Sequence, residues 1–233
     1  MTNNLGNRIF LFLSFDKFKI VALNSNDELV YKKEILTNNK SNQIDPKFLD
    51  NFLGENIFKI EKELNEFVKN IFLIIDNQNI FSIYLSIKNK FDNIIIDSNS
   101  INKLLFEAKS CCKKTLEDFD VLHMKIDQFY IDGTYFKTLP EKQNCKNFSI
   151  EINFICLPRK ISKTIEDVLA KYQISLDKIL SFNYLNNFLD DNNNNLYITA
   201  QKILDGLNQN EVSITGKNPK KTGFFEKFFN FFN

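Results

Sequence analysis

Apolar and polar positions change period several times along the chain. Ile9–Ser14 is nearly continuous apolar, and Phe18–Leu23 and Leu29–Ile35 follow, the last two separated by the turn-like Asn24-Ser25-Asn26-Asp27. Residues 8–36 are therefore read as three strands. A polar loop, Thr37–Pro46, leads to apolar side chains at Ile57, Ile60, Leu64, Phe67, Val68 and Ile71, with Glu and Lys between them. That spacing predicts a helix over residues 47–71. Phe81, Ile83, Leu85 and Ile87 then alternate with Ser82, Tyr84 and Ser86, the pattern of a half-buried strand, and Ile94–Ile96 is a second short one. Asp97-Ser98-Asn99-Ser100 offers N-cap candidates. The helix they begin runs to about Phe119, with Ile101, Leu104, Leu105, Ala108, Cys112 and Leu116 on one side.

Val121–Ile126 reads as a strand. Phe129–Phe136 reads as a hairpin, with Asp132-Gly133 supplying the positive φ of a tight turn. Phe148, Ile150, Ile152, Phe154 and Cys156 alternate strictly with polar residues, the clearest strand in the chain. Arg159–Tyr172 is helical in spacing, and Leu176–Phe182 is a final strand. Mixed strands and helices with a hairpin signal predict an α+β fold, helices packed on one face of a sheet.

After Leu185 the character changes. Asn192–Asn195 is a low-complexity break, Leu196–Leu207 a short amphipathic helix, and Asn208–Thr222 a polar linker. The chain closes on Phe224, Phe225, Phe228, Phe229, Phe231 and Phe232. At about 100° per residue these six rings fall within an arc of about 160°, with Glu226, Lys227, Asn230 and Asn233 opposite. Such a stripe suits an interfacial helix whose rings enter the acyl boundary. Lys217, Lys220, Lys221 and Lys227 would face anionic headgroups, each worth about 1 kcal/mol there. Docking of the rings on their own domain, or in a partner's groove, are the other readings. So short an anchor holds one molecule weakly, which implies self-association of several tails.

Composition narrows the function. The chain has 233 residues with a net charge of +1, so a strongly cationic nucleic-acid binder is excluded and no nucleic-acid partner is expected. Its apolar runs are far shorter than the roughly 20 residues that span a bilayer, and no secretory leader is expected at Met1. Cys111, Cys112, Cys145 and Cys156 show no C-x-x-C spacing and are read as reduced thiols. One histidine, His123, leaves metal sites and triads almost nothing to work with, and it is read as a packed side chain. Six glycines stand singly, so no phosphate-cradling loop can be assembled from them. No catalytic constellation is found, and the expectation is a non-enzyme without cofactor or metal.

Several stretches between residues 78 and 185 resemble the bacterial cell-division family FtsA. Ser82-Ile83-Tyr84-Leu85-Ser86-Ile87 is similar to that family's strand ending in a small-residue turn. Val121-Leu122-His123 and Phe129-Tyr130-Ile131-Asp132-Gly133 resemble its Leu-His and Tyr-Ile-x-Asp-Gly stretches. Ser149–Cys156, Thr164–Leu169 and Ile174–Ile179 resemble its following strand, helix and return strand, and Tyr197-Ile198-Thr199-Ala200 the segment before its tail linker. The resemblance implies an actin-like fold carrying an inserted SHS2-type subdomain called 1C, and a terminal membrane-targeting helix. The expected division is degenerate actin-like strands and helix over 1–77, a 1C-like module over 78–185, a short helix and linker over 186–222, and an amphipathic helix over 223–233.

Departures from the family pattern bear on chemistry. Where the family opens with strand–Asp-x-Gly-Thr around ATP phosphates, this chain has Ser14-Phe15-Asp16-Lys17. A carboxylate at Asp16 repels phosphate, so Ser14, Asp16 and Lys17 are expected not to bind nucleotide. The second lobe, which includes the family's FtsZ-binding surface, is expected to be missing between about Asp190 and Leu196, so FtsZ tethering is set aside. What the resemblance implies is an adaptor on the cytoplasmic face of the inner membrane, at the division septum, contacting later division proteins through its 1C-like module. The alternative is an assembly adaptor of the pilus-associated actin-like type, or a general membrane-surface scaffold.

Overall fold

The computed structural model describes residues 6–37, 43–96, 98–139, 144–189 and 195–212. In chain order the elements are β1 (Arg8–Leu13), β2 (Lys17–Leu23), β3 (Leu29–Leu36), α1 (Pro46–Leu64), β4 (Asn70–Ile75), β5 (Phe81–Ile95), α2 (Ser98–Thr115), β6 (Phe119–Ile131), β7 (Thr134–Phe136), β8 (Asn144–Pro158), α3 (Arg159–Ala170), β9 (Ser175–Ser181), α4 (Phe182–Asn186) and α5 (Leu196–Leu204). They form two compact units. The first is the described part of Met1–Ile80 with Leu157–Leu204, the second that of Phe81–Cys156 with the described residues beyond Asp205.

The first unit is a five-stranded sheet in the order β3-β2-β1-β4-β9. β1, β2 and β3 are antiparallel neighbours, whereas β4 runs parallel to β1 and β9 parallel to β4. The sheet is therefore mixed, three antiparallel strands followed by two parallel ones. Both faces are covered. Phe18 meets Phe48 and Phe52 of α1, with ring centroids 5.4 and 6.2 Å apart. On the other face Phe12 meets Phe182 at 5.5 Å, and Phe10 meets Tyr197 at 5.8 Å. Burial on both sides explains why β1 and β4 are continuous apolar runs. Ile71, Leu73, Ile74 and Ile75 are fully buried, each worth roughly 1.5–3 kcal/mol.

The first helix is shorter than its spacing predicts. Asp45 caps its start, accepting the Lys47 N–H at 2.9 Å, and Pro46 occupies the first turn. Asn65 ends it in the left-handed region (φ 52°, ψ 34°), and the Glu66 N–H turns back to the Glu61 carbonyl at 3.2 Å. Ile71 therefore belongs to β4 and not to the helix. Likewise the second helix stops at Thr115, and Phe119 opens β6.

The second unit has the strand order β5-β8-β6-β7. Ile101, Leu104, Leu105, Ala108 and Cys112 of α2 pack with Phe148, Ile150, Ile152, Phe154 and Cys156 of β8. The helix lies on one face, as expected. Ile94–Ile96 is no separate strand, because β5 continues through it to Ile95. The β6–β7 turn carries Asp132 at φ 43° and Gly133 at φ 95°, the turn that Asp-Gly predicts. The Asp132 carboxylate accepts the Asn147 N–H at 2.7 Å and the Lys146 N–H at 3.1 Å, tying the hairpin to β8. These two backbone donors hold its acid below the usual carboxylate range.

The unit boundaries differ from the sequence division. α3 and β9 fall in the first unit, because β9 pairs with β4 and so completes the five-stranded sheet. The second unit is thus an insertion between β4 and α3. Part of the expected linker is also built in: the Val212 N–H donates to the Met124 carbonyl at 2.7 Å, and the Ile126 N–H to the Asn210 carbonyl at 2.8 Å. The tail helix expected over 223–233 lies outside the described residues.

Candidate functional site

The turn between β1 and β2 stands where the family resemblance places a phosphate loop. Ser14 ends the buried β1 run and is itself 2% exposed. Its hydroxyl donates to the Asp16 carboxylate and accepts the Lys17 N–H at 3.2 Å, while the Ser14 N–H donates to the Lys17 carbonyl at 3.0 Å. The Ser14 and Lys17 N–H groups are thus consumed inside the turn. The Lys17 ammonium lies 5.7 Å from the centroid of the Phe12 ring.

Asp76, the residue after β4, joins this turn. Its N–H donates to the Leu13 carbonyl at 2.9 Å, extending the parallel β1–β4 ladder by one bond. Burial, and after it the neighbouring Asp16 carboxylate, push the Asp76 acid up, while Lys17 opposes them. Two carboxylates and one lysine leave the turn anionic, offering acceptors where a phosphate would need donors. Sequence reading found Ser14, Asp16 and Lys17, and the structure brings the three together. It missed Asp76, whose signal was an acidic residue directly after the apolar run Ile71–Ile75. Among the described residues no group of three His, Cys, Asp or Glu is placed to hold a metal ion.

Beside the turn, on the α1 face, lies a groove of about 240 Å³ lined by Phe15, Phe18, Leu36, Phe48, Thr37 and Asp45, with Gln43. Phe15 is 45% exposed and Leu36 70% exposed. The Thr37 N–H donates to the Asp16 carbonyl at 2.7 Å, which pins the end of β3 to the turn. Its lining mixes the apolar Phe15, Phe18, Leu36 and Phe48 with the polar Thr37, Gln43 and Asp45. Periodicity could not reveal it, since its residues come from the ends of separate elements.

In the second unit His123 is buried, with Nδ1 2.8 Å from the Glu211 carboxylate. It is the packed side chain expected. Cys111, Cys112, Cys145 and Cys156 are free thiols, and burial pushes the Cys156 thiol up to about 11. A buried thiol raised in this way, as at Cys156, is a poor nucleophile. Phe224, Phe225, Phe228, Phe229, Phe231, Phe232, Lys217, Lys220, Lys221 and Lys227 lie outside the described residues. Among the described residues no helix is long and apolar enough to cross a membrane.

No family model matches the chain, and no curated protein does. Solved structures resemble it in part. A PilM–PilN type IV pilus biogenesis complex aligns over 80% of this chain and 50% of that one, at 8% identity and a TM-score of 0.46. The cytoplasmic domain of EpsL, an inner membrane component of the type II secretion system of Vibrio cholerae, aligns over 76% of this chain and 56% of that one, at 12% identity and a TM-score of 0.34. Marinitoga piezophila Argonaute with a 5′-OH guide RNA aligns over 72% of this chain and 26% of its own, at 15% identity and a TM-score of 0.24. The chain spans about half the length of the first two.

Proposed function

We propose that this chain is an actin-like assembly adaptor that works at a membrane surface by protein–protein contact, without catalysis and without nucleotide at the Ser14–Lys17 turn. The observation that carries the reading is the splice of a separate four-stranded module between β4 and α3 of an actin-like sheet. The self-bonded, anionic turn supports it, because the place where such a lobe would hold phosphate offers acceptors. The class of partner we propose is a membrane protein of a pilus or secretion assembly, a choice suggested by the pilus biogenesis complex PilM–PilN and the inner-membrane secretion component EpsL. The Phe224–Phe232 stripe and its lysines would supply the peripheral membrane contact, on the cytoplasmic side.

A division adaptor of the FtsA kind is the second reading. The hairpin at Asp132-Gly133, formed where the FtsA-like stretch Tyr130–Gly133 requires one, favours it. One experiment separates the two. A fluorescent fusion at the N-terminus of the full chain is imaged in its source cells, with photo-crosslinking from residues on β5 and β6. Membrane signal away from the septum, with crosslinks to a pilus or secretion component, is the expected result. A midcell band transfers the function to division, and diffuse signal overturns the membrane reading. Calorimetry with Mg·ATP is expected to show no binding heat; measurable heat overturns the nucleotide-free part.

A further inference from the structure

Four strands end a sheet among the described residues: β3, β9, β5 and β7. An exposed edge is a template for pairing unless it is short or charged. β3 carries Lys32, Lys33 and Glu34, and β9 carries Asp177 and Lys178. β7 is three residues long. β5 keeps its charges, Lys88, Lys90 and Asp92, and its register shift to its second half. It is fifteen residues long, and its first seven, Phe81-Ser82-Ile83-Tyr84-Leu85-Ser86-Ile87, contain neither charge nor proline.

Those seven residues read alike in both directions about Tyr84. Antiparallel pairing of the segment with itself would set Tyr84 against Tyr84, Ile83 against Leu85, Ser82 against Ser86 and Phe81 against Ile87 of a second copy. Every pair joins like with like. Lys88 would fall opposite Ile80, so no two lysines meet. Phe81, Ile83, Leu85 and Ile87 are only half-buried on the core of their unit, and Tyr84 on the other face is 70% exposed. A second copy would cover the open side of that apolar row. Because directly opposed residues share a face, both α2 helices would lie on the same side of the joined sheet.

We propose that β5 is the seam of a two-fold homodimer, pairing antiparallel about Tyr84 and joining two four-stranded sheets into one of eight strands. Such an interface is isologous and closed, so it yields dimers and not filaments. It does not depend on which assembly the protein serves.

The test uses the full chain in solution. Sedimentation equilibrium is expected to give a dimer mass, and Tyr84→Lys, which sets two ammonium groups face to face, is expected to weaken dimerisation at least tenfold with an unchanged circular dichroism spectrum. Tyr84 is exposed in its own unit, so the variant keeps its fold. Opposed residues in an antiparallel pair have Cα atoms about 4.5–5.5 Å apart, within the disulfide range of about 4.4–6.8 Å. Tyr84→Cys is therefore expected to crosslink under mild oxidation beyond the level of the wild-type chain. Ser82→Cys is not, because at about 3.4 Å per residue its copies lie about 14 Å apart. A monomer at all concentrations, a dimer indifferent to Tyr84→Lys, or equal crosslinking by the two cysteine variants would each overturn the seam.

Discussion

Individual side chains set two measurable balances. Gly54 lies mid-helix in α1, and a Cβ there would stand 3.0 Å from the Tyr172 hydroxyl. That hydroxyl donates to the Asp50 carbonyl or carboxylate, at 2.7 and 2.9 Å, and burial, followed by the Asp50 interaction, pushes the phenol up to about 12. Helix propensity alone would favour Gly54→Ala by about 1 kcal/mol. We expect that full gain only in a Tyr172→Phe background, and a smaller gain or a loss in the wild type; a double-mutant cycle in urea reads the coupling. A zero coupling would show that Tyr172 yields at no cost. Asp132 sets the second balance. Its acid is held below the ordinary range in the folded chain, so its contribution is complete above the unfolded value of about 3.9 and is lost as pH falls through the folded one. Asp132→Ala should lower the melting temperature at pH 7. Asp132→Asn, which tolerates positive φ and keeps one acceptor, should recover part of the loss and flatten the decline in acid. Parallel acid limbs for the Asn variant and the wild type would refute that role.

Elements show what could be read from the sequence and what could not. β1, β2, β8 and the β6–β7 hairpin follow from alternation, apolar runs and Asp-Gly chemistry. β4 does not. A strand buried on both faces loses its period of two, and Ile71 extends the helical spacing of α1 by one turn, so the strand is masked until Asn65 is known to adopt the left-handed cap. The boundary of the inserted unit is hidden for a related reason: β9 is adjacent in sequence to α3 but pairs with β4, about a hundred residues away. Of the candidate site, Ser14, Asp16 and Lys17 were legible, while Asp76 and the groove depend on which strand ends meet. Glu211 was invisible too, since a polar stretch after Leu207 looks like any linker. Its segment covers the outer edge of β6 with the bonds to Met124 and Ile126. We expect a chain ending at residue 207 to lose hydrogen-exchange protection at the Ile126 amide and to aggregate, whereas one ending at residue 216 keeps that protection and stays in solution. Equal exchange in the two would show that the segment is dispensable.

The whole chain joins a five-stranded sheet, an inserted four-stranded sheet and, in its sequence, a terminal stripe of Phe residues. If that stripe is the membrane contact, Phe225→Asp with Phe228→Asp should abolish co-sedimentation with anionic vesicles while leaving the melting temperature of the rest unchanged. Retained binding would remove the tail from the proposal. The insertion has another consequence, for the order in which the chain folds. Phe81 and Cys156, the first and last residues of the inserted segment, are directly paired neighbours on β5 and β8. Once that sheet has closed, the two ends of the first unit's chain are delivered side by side, and the loop that β4 must close to reach β9 shrinks from about a hundred residues to about two dozen. Contact order falls accordingly. During synthesis the ribosome releases β1 to β4 well before β9 exists, leaving the apolar edge of β4 waiting. A variant that slows closure of the inserted sheet should therefore lengthen the lifetime of that exposed edge, and its first symptom would be poor recovery of soluble protein.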